Sequence, residues 1–217
     1  TDLYLSLGSN IGDREENLLR AIGLLDERLG CRHGAISGII ETESWDFVGE
    51  RFLNCAVLYR IKPPDKPLVE AAGDVLRICK EIERKMGRTD REEYSPDGKR
   101  IYHSRIIDID ILFYGRERIN TKKLTVPHTG IADRPFVMIP LLEIAEPSLK
   151  ESFPEIFQDK KKDEENGRQH NVKLFVQFDI FAGIIKKQTD IKWNPRKSRR
   201  QRSSHPIKVE RPAAIHG

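Results

Sequence analysis

The first apolar run, Leu3 to Leu7, stops at Gly8-Ser9-Asn10, the pattern of a strand that ends in a turn. The rhythm then becomes helical. Leu18, Leu19, Ile22, Leu25 and Leu29 recur at helical spacing, behind Asp13 and Glu16 at the offset of a capping box and ahead of a stop at Gly30. Ala35 to Thr42 and Phe52 to Arg60 are rich in Ile, Val and aromatic residues and read as two strands, joined by an unusually apolar loop with Trp45, Phe47 and Gly49. Pro67 stands where a first helical residue would, and Leu68, Ala71, Ala72, Val75, Leu76, Ile78, Cys79 and Ile82 form an apolar face running toward Gly87. The stretch from Arg88 to Ser104 is too polar for core and too long for a simple connection, which marks a functional loop. Arg105 to Tyr114 carries the strongest strand pattern in the chain, and Gly115 closes it.

This order, β-α-β-β-α-β, predicts a mixed α/β (α+β) fold of the ferredoxin-like kind, a sandwich with an antiparallel central sheet and extra C-terminal elements. Phe136 to Ile144, with Pro140 inside it, is an apolar segment able to pack against that domain. Beyond about Pro147 the character changes. Lys160 to Glu165 and Arg196 to Arg202 are charge runs of the kind that stay solvated, and only Val172 to Ile185 is apolar enough for a strand or helix. The expected division is therefore a catalytic domain over residues 1–149 and a charged, basic, poorly ordered extension over residues 150–217.

The bulk numbers narrow the class only slightly. The 217 residues suit one well-buried domain with an appendage, and the net charge of +4 suits either nucleic acid or a polyanionic small substrate. Cys31, Cys55 and Cys79 are odd in number and widely spaced, which argues against a disulfide framework or a zinc site and for a reducing, cytoplasmic setting. No stretch approaches the roughly 20 apolar residues of a membrane span, and the first residues do not resemble a signal peptide.

Chemistry concentrates on the last strand of the domain. Alternation puts Asp108 and Asp110 on one face and Ile107, Ile109, Ile111 and Phe113 on the other, where the helices pack. Two neighbouring carboxylates repel each other, and divalent cations between them relieve that; hard oxygen ligands with phosphate favour magnesium. Arg88, Arg105 and Arg134 bracket the strand, with Lys122, Lys123 and His128 just after it, so a positive ring surrounds the acidic pair. That layout suits phosphoryl transfer, in which positioning and charge neutralisation do most of the catalysis. No Gly-x-x-x-x-Gly-Lys-Ser/Thr is present, so an ordinary P-loop is unsupported. Trp45, Phe52 and Phe136 have the type to stack on a flat heterocycle, and Asn54 the type to read an amide-like edge. A nucleic-acid-binding module of the same topology, or a magnesium-dependent nucleotide hydrolase or cyclase, remains open on these residues alone.

The ordered set Leu7-Gly8-Ser9-Asn10-Ile11-Gly12-Asp13, Phe52 to Val57, Glu83 to Arg88, Ser104 to Leu112 and Leu124-Thr125-Val126-Pro127-His128 resembles the 6-hydroxymethyl-7,8-dihydropterin pyrophosphokinase family over residues 3 to about 147. The resemblance implies transfer of pyrophosphate from ATP to the hydroxymethyl group of the dihydropterin, with release of AMP, in folate biosynthesis. It implies two magnesium ions on Asp108 and Asp110, with Asp110, Asp108, Arg105 and Arg88 catalytic. Arg105, Ile111, Lys123, Thr125, His128 and Arg134 would bind the nucleotide. Thr42, Trp45, Phe52, Asn54 and Phe136 would line the pterin pocket, and Glu83 with Arg88 would support the site or its loop. The partners expected are these small molecules, without nucleic acid or membrane, on a monomer. Tyr102-His103-Ser104-Arg105 stands where the family often has Trp-Gly-Pro-Arg, and Thr129 follows His128 where an aromatic is common.

Overall fold

The computed structural model describes residues 1–44, 49–89 and 103–157, and the backbone of four short strands at 93–94, 100–101, 171–178 and 185–192. Its elements run β1 (Asp2–Ser9), α1 (Arg14–Leu29), β2 (His33–Ile36), β3 (Ile39–Thr42), β4 (Phe52–Arg60), α2 (Leu68–Lys85), β5 (Glu93–Tyr94), β6 (Arg100–Ile101), β7 (Asp108–Tyr114), β8 (Ile119–Asn120), β9 (Thr125–Val126), α3 (Pro135–Ile144), α4 (Pro147–Ser152), α5 (Pro154–Phe157), β10 (Asn171–Phe178) and β11 (Ile185–Lys192). The main sheet is antiparallel, in the order β11-β10-β3-β4-β1-β7, with β2 also on β4. Its β3-β4-β1-β7 part, joined through α1 and α2, is the expected ferredoxin-like arrangement.

Local chemistry explains the boundaries. The Asp13 side chain accepts the Glu16 amide at 3.0 Å, and Gly30 takes the left-handed conformation, φ 66°, that ends α1. The single strand expected over Ala35 to Thr42 is two strands. Ser37 interrupts the ladder, since its hydroxyl accepts the Ala56 amide at 2.8 Å, while the Gly38 amide turns away to Glu143 Oε2 at 2.7 Å. The fourth expected strand starts at Asp108 and not at Arg105. The Arg105 backbone is bound crosswise instead, its amide to Asn10 Oδ1 at 2.6 Å and its carbonyl to the Asn10 amide at 3.0 Å.

The sheet has two buried faces. Leu3, Leu5, Leu7, Cys55, Val57, Tyr59, Ile107, Ile109, Ile111 and Tyr114 pack against Leu18, Ile22 and Leu25 of α1 and Val75, Cys79 and Ile82 of α2. On the opposite face Tyr4, Leu58, Leu112 and Phe113 pack against Val137, Met138 and Leu141 of α3 and Leu149 of α4. Phe113 thus lies on the face opposite to the one strict alternation predicts. The β1–β7 register slips between Tyr4, which faces Phe113, and Leu5, which faces Ile111, so Leu112 is an extra residue that reverses the alternation beyond it.

Helices α3 and α4 cover only one half of this second face. Over the other half, small residues of β1 lie between functional neighbours: Ser6 pairs with Asp110 on one side and Ala56 on the other, and Gly8 pairs with Asp108 and Asn54. The result is a cleft open above the sheet. Among the described residues no helix is long and apolar enough to cross a membrane.

Candidate active site

Ser6, Gly8, Thr42, Glu43, Phe52, Asn54, Arg105, Asp108, Asp110, Arg134 and Phe136 line this cleft, which opens to solvent. Gly8 sets its floor. A Cβ there would lie 3.0 Å from Asn54 Oδ1 and 3.4 Å from Phe52 Cδ1, so both side chains lean over a position that only a bare Cα leaves vacant. Asn54 is 4% exposed and donates from Nδ2 to Thr42 Oγ1 at 2.9 Å, which orients the amide and leaves its carbonyl toward Gly8. Thr42 therefore acts on the cleft through Asn54 as well as by lining it.

The two aspartates stand in different environments. Arg88 and Arg105 each place Nη1 on a different oxygen of Asp108. Burial alone would raise the Asp108 pKa, but the charges of Arg105, Arg88 and Lys80 outweigh it and hold the group below the usual carboxylate range. Asp110 has no hydrogen bond or ion pair among the described residues. Burial first and the Asp108 charge second push its pKa up, against the opposing pull of His128, Lys80 and Arg88. An acid this reluctant to ionise is stabilised by a cation brought to it.

Beneath the pair, Glu83 of α2 is 1% exposed and accepts the Ile109 amide at 2.7 Å, Arg88 Nη1 at 2.6 Å and Lys80 Nζ at 2.9 Å. The helix end, the acidic strand and the first residue of the charged loop are joined on one carboxylate. At the other end of the cleft Asn10 serves a similar purpose. Its Nδ2 donates to the Glu50 carbonyl and to Ser104 Oγ, each at 3.1 Å, and its backbone holds Arg105. The Gly8-Ser9-Asn10 turn is a fastening for two loops, and no role in cradling an anion is needed to explain it.

The expected residues do not all converge. Arg105, Arg134, Phe52, Phe136, Thr42, Asn54, Asp108 and Asp110 meet in the cleft. His128 approaches its edge, fixed by its amide to the Leu112 carbonyl at 3.0 Å and by the Gly130 amide on Nδ1 at 3.1 Å. Ile111 is different: its side chain is in the core under α1 and α2, so only its backbone remains for a nucleotide. Lys123, in the β8–β9 turn, and Thr125, the first residue of β9, lie outside the lining of the cleft. Trp45 and Tyr102 lie outside the described residues. Sequence reading passed over Ser6, Glu43 and Lys80. Ser6 was hidden inside an apolar run, and Lys80 on the polar face of a helix resembles any solvated lysine.

Among the described residues no cluster of three or more His, Cys, Asp or Glu side chains is arranged to hold a metal alone. Two carboxylates with hard oxygens, one of them without a donor among the described residues, fit a magnesium ion that completes its shell with water and substrate phosphate.

A family model for 7,8-dihydro-6-hydroxymethylpterin-pyrophosphokinase matches residues 4–146. The 2-amino-4-hydroxy-6-hydroxymethyldihydropteridine pyrophosphokinase of Bacillus subtilis is 37% identical over 150 residues, covering 69% of this chain and 81% of its own. The enzyme of that name from Porphyromonas gingivalis is 38% identical over 147 residues, covering 66% of this chain and 90% of its own. A solved structure of an HPPK-DHPS in complex with substrates aligns with 85% of this chain and 48% of its own, at TM-score 0.46 and 17% identity. With a match that spans most of the described domain, and a cleft built from the residues those motifs contain, the chain belongs to the 7,8-dihydro-6-hydroxymethylpterin-pyrophosphokinase family.

Proposed function

We propose that this cleft transfers pyrophosphate from ATP to the hydroxymethyl group of 6-hydroxymethyl-7,8-dihydropterin, giving AMP and the pterin pyrophosphate for folate synthesis. The observation that carries the reading is the juxtaposition of Asp108 and Asp110 with a slot bounded by Phe52, Phe136 and the oriented amide of Asn54. The aromatic pair suits a flat ring, and the Asn54 carbonyl offers an acceptor to the amino edge of a pterin. Arg105, Arg134 and His128 supply cationic and donor groups for the phosphate chain, and Arg88 keeps Asp108 ionised and fixed.

Magnesium, two ions on Asp108 and Asp110, would neutralise phosphate charge and align the attacked phosphorus. The protein's own part is to position. Gly8 and Ser6 keep the floor low enough for the two substrates to meet above it, and Glu83 holds the acidic strand against α2 while the transfer proceeds. The substrates are small molecules, and residues 1–157, which carry both buried faces and the described cleft, are sufficient for the chemistry.

The test is direct. The protein is mixed with ATP, magnesium and the hydroxymethyl dihydropterin, and AMP and pterin pyrophosphate are followed by mass spectrometry. Stoichiometric appearance of both supports the assignment; ADP as product, or nucleotide turnover indifferent to the pterin, overturns it.

A further inference from the structure

Gly130 lies in the turn between β9 and α3, two residues after His128 and four before Arg134. A Cβ built on it would come within 2.7 Å of Arg134 Nε, 2.9 Å of Cζ and 3.0 Å of Cδ. The Arg134 side chain therefore runs across the bare Cα of Gly130. From there its guanidinium reaches over the Phe136 ring, 5.9 Å from the centroid, at the wall of the cleft. The backbone of the turn is pinned: the Gly130 amide donates to His128 Nδ1 at 3.1 Å and the Ile131 amide to the His128 carbonyl at 3.3 Å. Gly130 does not have the positive φ that marks Gly12, Gly30, Gly87 and Gly115, so its conformation is open to any residue.

We propose that Gly130 is a positioning residue for the nucleotide side of the cleft, its missing Cβ forming the channel that aims Arg134 at the phosphate chain. An added methyl group has only one neighbour able to yield. The turn is fastened through His128, whereas the far end of an arginine moves at small cost. The substitution displaces the guanidinium by about an ångström or more and leaves the fold as it is. Misplacement on that scale is enough to weaken a charge-assisted contact substantially. The inference rests on the reading of Arg134 as a nucleotide ligand.

The test is a cycle of Gly130→Ala, Arg134→Ala and the double variant, with Mg-ATP affinity measured by calorimetry in the absence of pterin, and KM, kcat and Tm measured alongside. Gly130→Ala is expected to weaken Mg-ATP binding and raise KM for ATP about tenfold, with kcat within about threefold and Tm unchanged to about 2 °C. In the Arg134→Ala background, where no side chain crosses the glycine, the same change is expected to alter affinity by less than about twofold. Unchanged affinity in Gly130→Ala, an equal loss in both backgrounds, or a Tm drop beyond those limits overturns the proposal. Failure of the pyrophosphokinase reading would appear separately, as wild-type protein that makes no AMP from ATP and pterin.

Discussion

At the scale of the residue, the contrast between the two aspartates matters most. Asp110 has its pKa raised by burial and by Asp108, so the fold holds its carboxylate less favourably than the unfolded chain does. For an acid of raised folded pKa, that cost is absent below the unfolded pKa and grows as pH rises through the folded one. Asp110→Asn removes it. The variant is expected to melt higher than wild type at pH 7 without metal, and at the same Tm near pH 3. Its turnover is expected to fall by about a thousandfold or more, since the cation loses its anchor. A variant that melts lower, or that still turns over, would refute the electrostatic account. Gly8→Ala makes the complementary point from the floor of the cleft. Its methyl group must displace Asn54 and Phe52, and KM for the pterin is expected to rise about tenfold with the melting point lowered by a few degrees.

At the scale of the element, Glu83 joins α2 to β7 and to the loop that leaves α2. Glu83→Ala leaves the Ile109 amide without its acceptor and Arg88 and Lys80 without a shared counter-charge. It is expected to cost about 3 kcal/mol in urea denaturation, with Glu83→Gln costing less because one oxygen still accepts. An unchanged midpoint in Glu83→Ala would show that the carboxylate is incidental. Much at this scale was legible in the sequence. Period and caps placed α1, α2 and β4 to within a residue or two, because those elements obey one local rule along their length. The misses share a cause: a side chain or a register slip outside the local pattern decided them. Ser37 substitutes for a backbone group of the ladder, Asn10 holds Arg105 crosswise, and the extra Leu112 turns Phe113 to the other face, none of which a period of two contains. The acidic pair was legible because aspartate contradicts strand preference, whereas Ser6 and Gly130 contradict nothing until a neighbour is seen to lie over them.

At the scale of the whole molecule, the family match ends at residue 146, whereas the sheet continues through β10, whose Val172 pairs with Thr42, and β11. A chain ending after residue 157 keeps both buried faces and every described residue of the cleft. It is expected to keep kcat within about twofold and KM for ATP likewise, while the uncovered edge of β3 raises its tendency to associate, as seen by light scattering. A large loss of kcat on truncation would assign the extension to the active unit.

The supernumerary Leu112 also limits how such a chain can vary in length. Substitutions along β7 are judged one position at a time, but a single-codon deletion between Asp108 and Leu112 would return the strand to plain alternation. Phe113 and Tyr114 would then keep their present sides, because the lost residue and the lost reversal cancel, while every residue left between the deletion and Phe113 would change face. A library of single-residue deletions should therefore tolerate loss of Leu112 best and grow less tolerant as the deleted codon approaches Asp108, where more of the acidic strand turns to the wrong face.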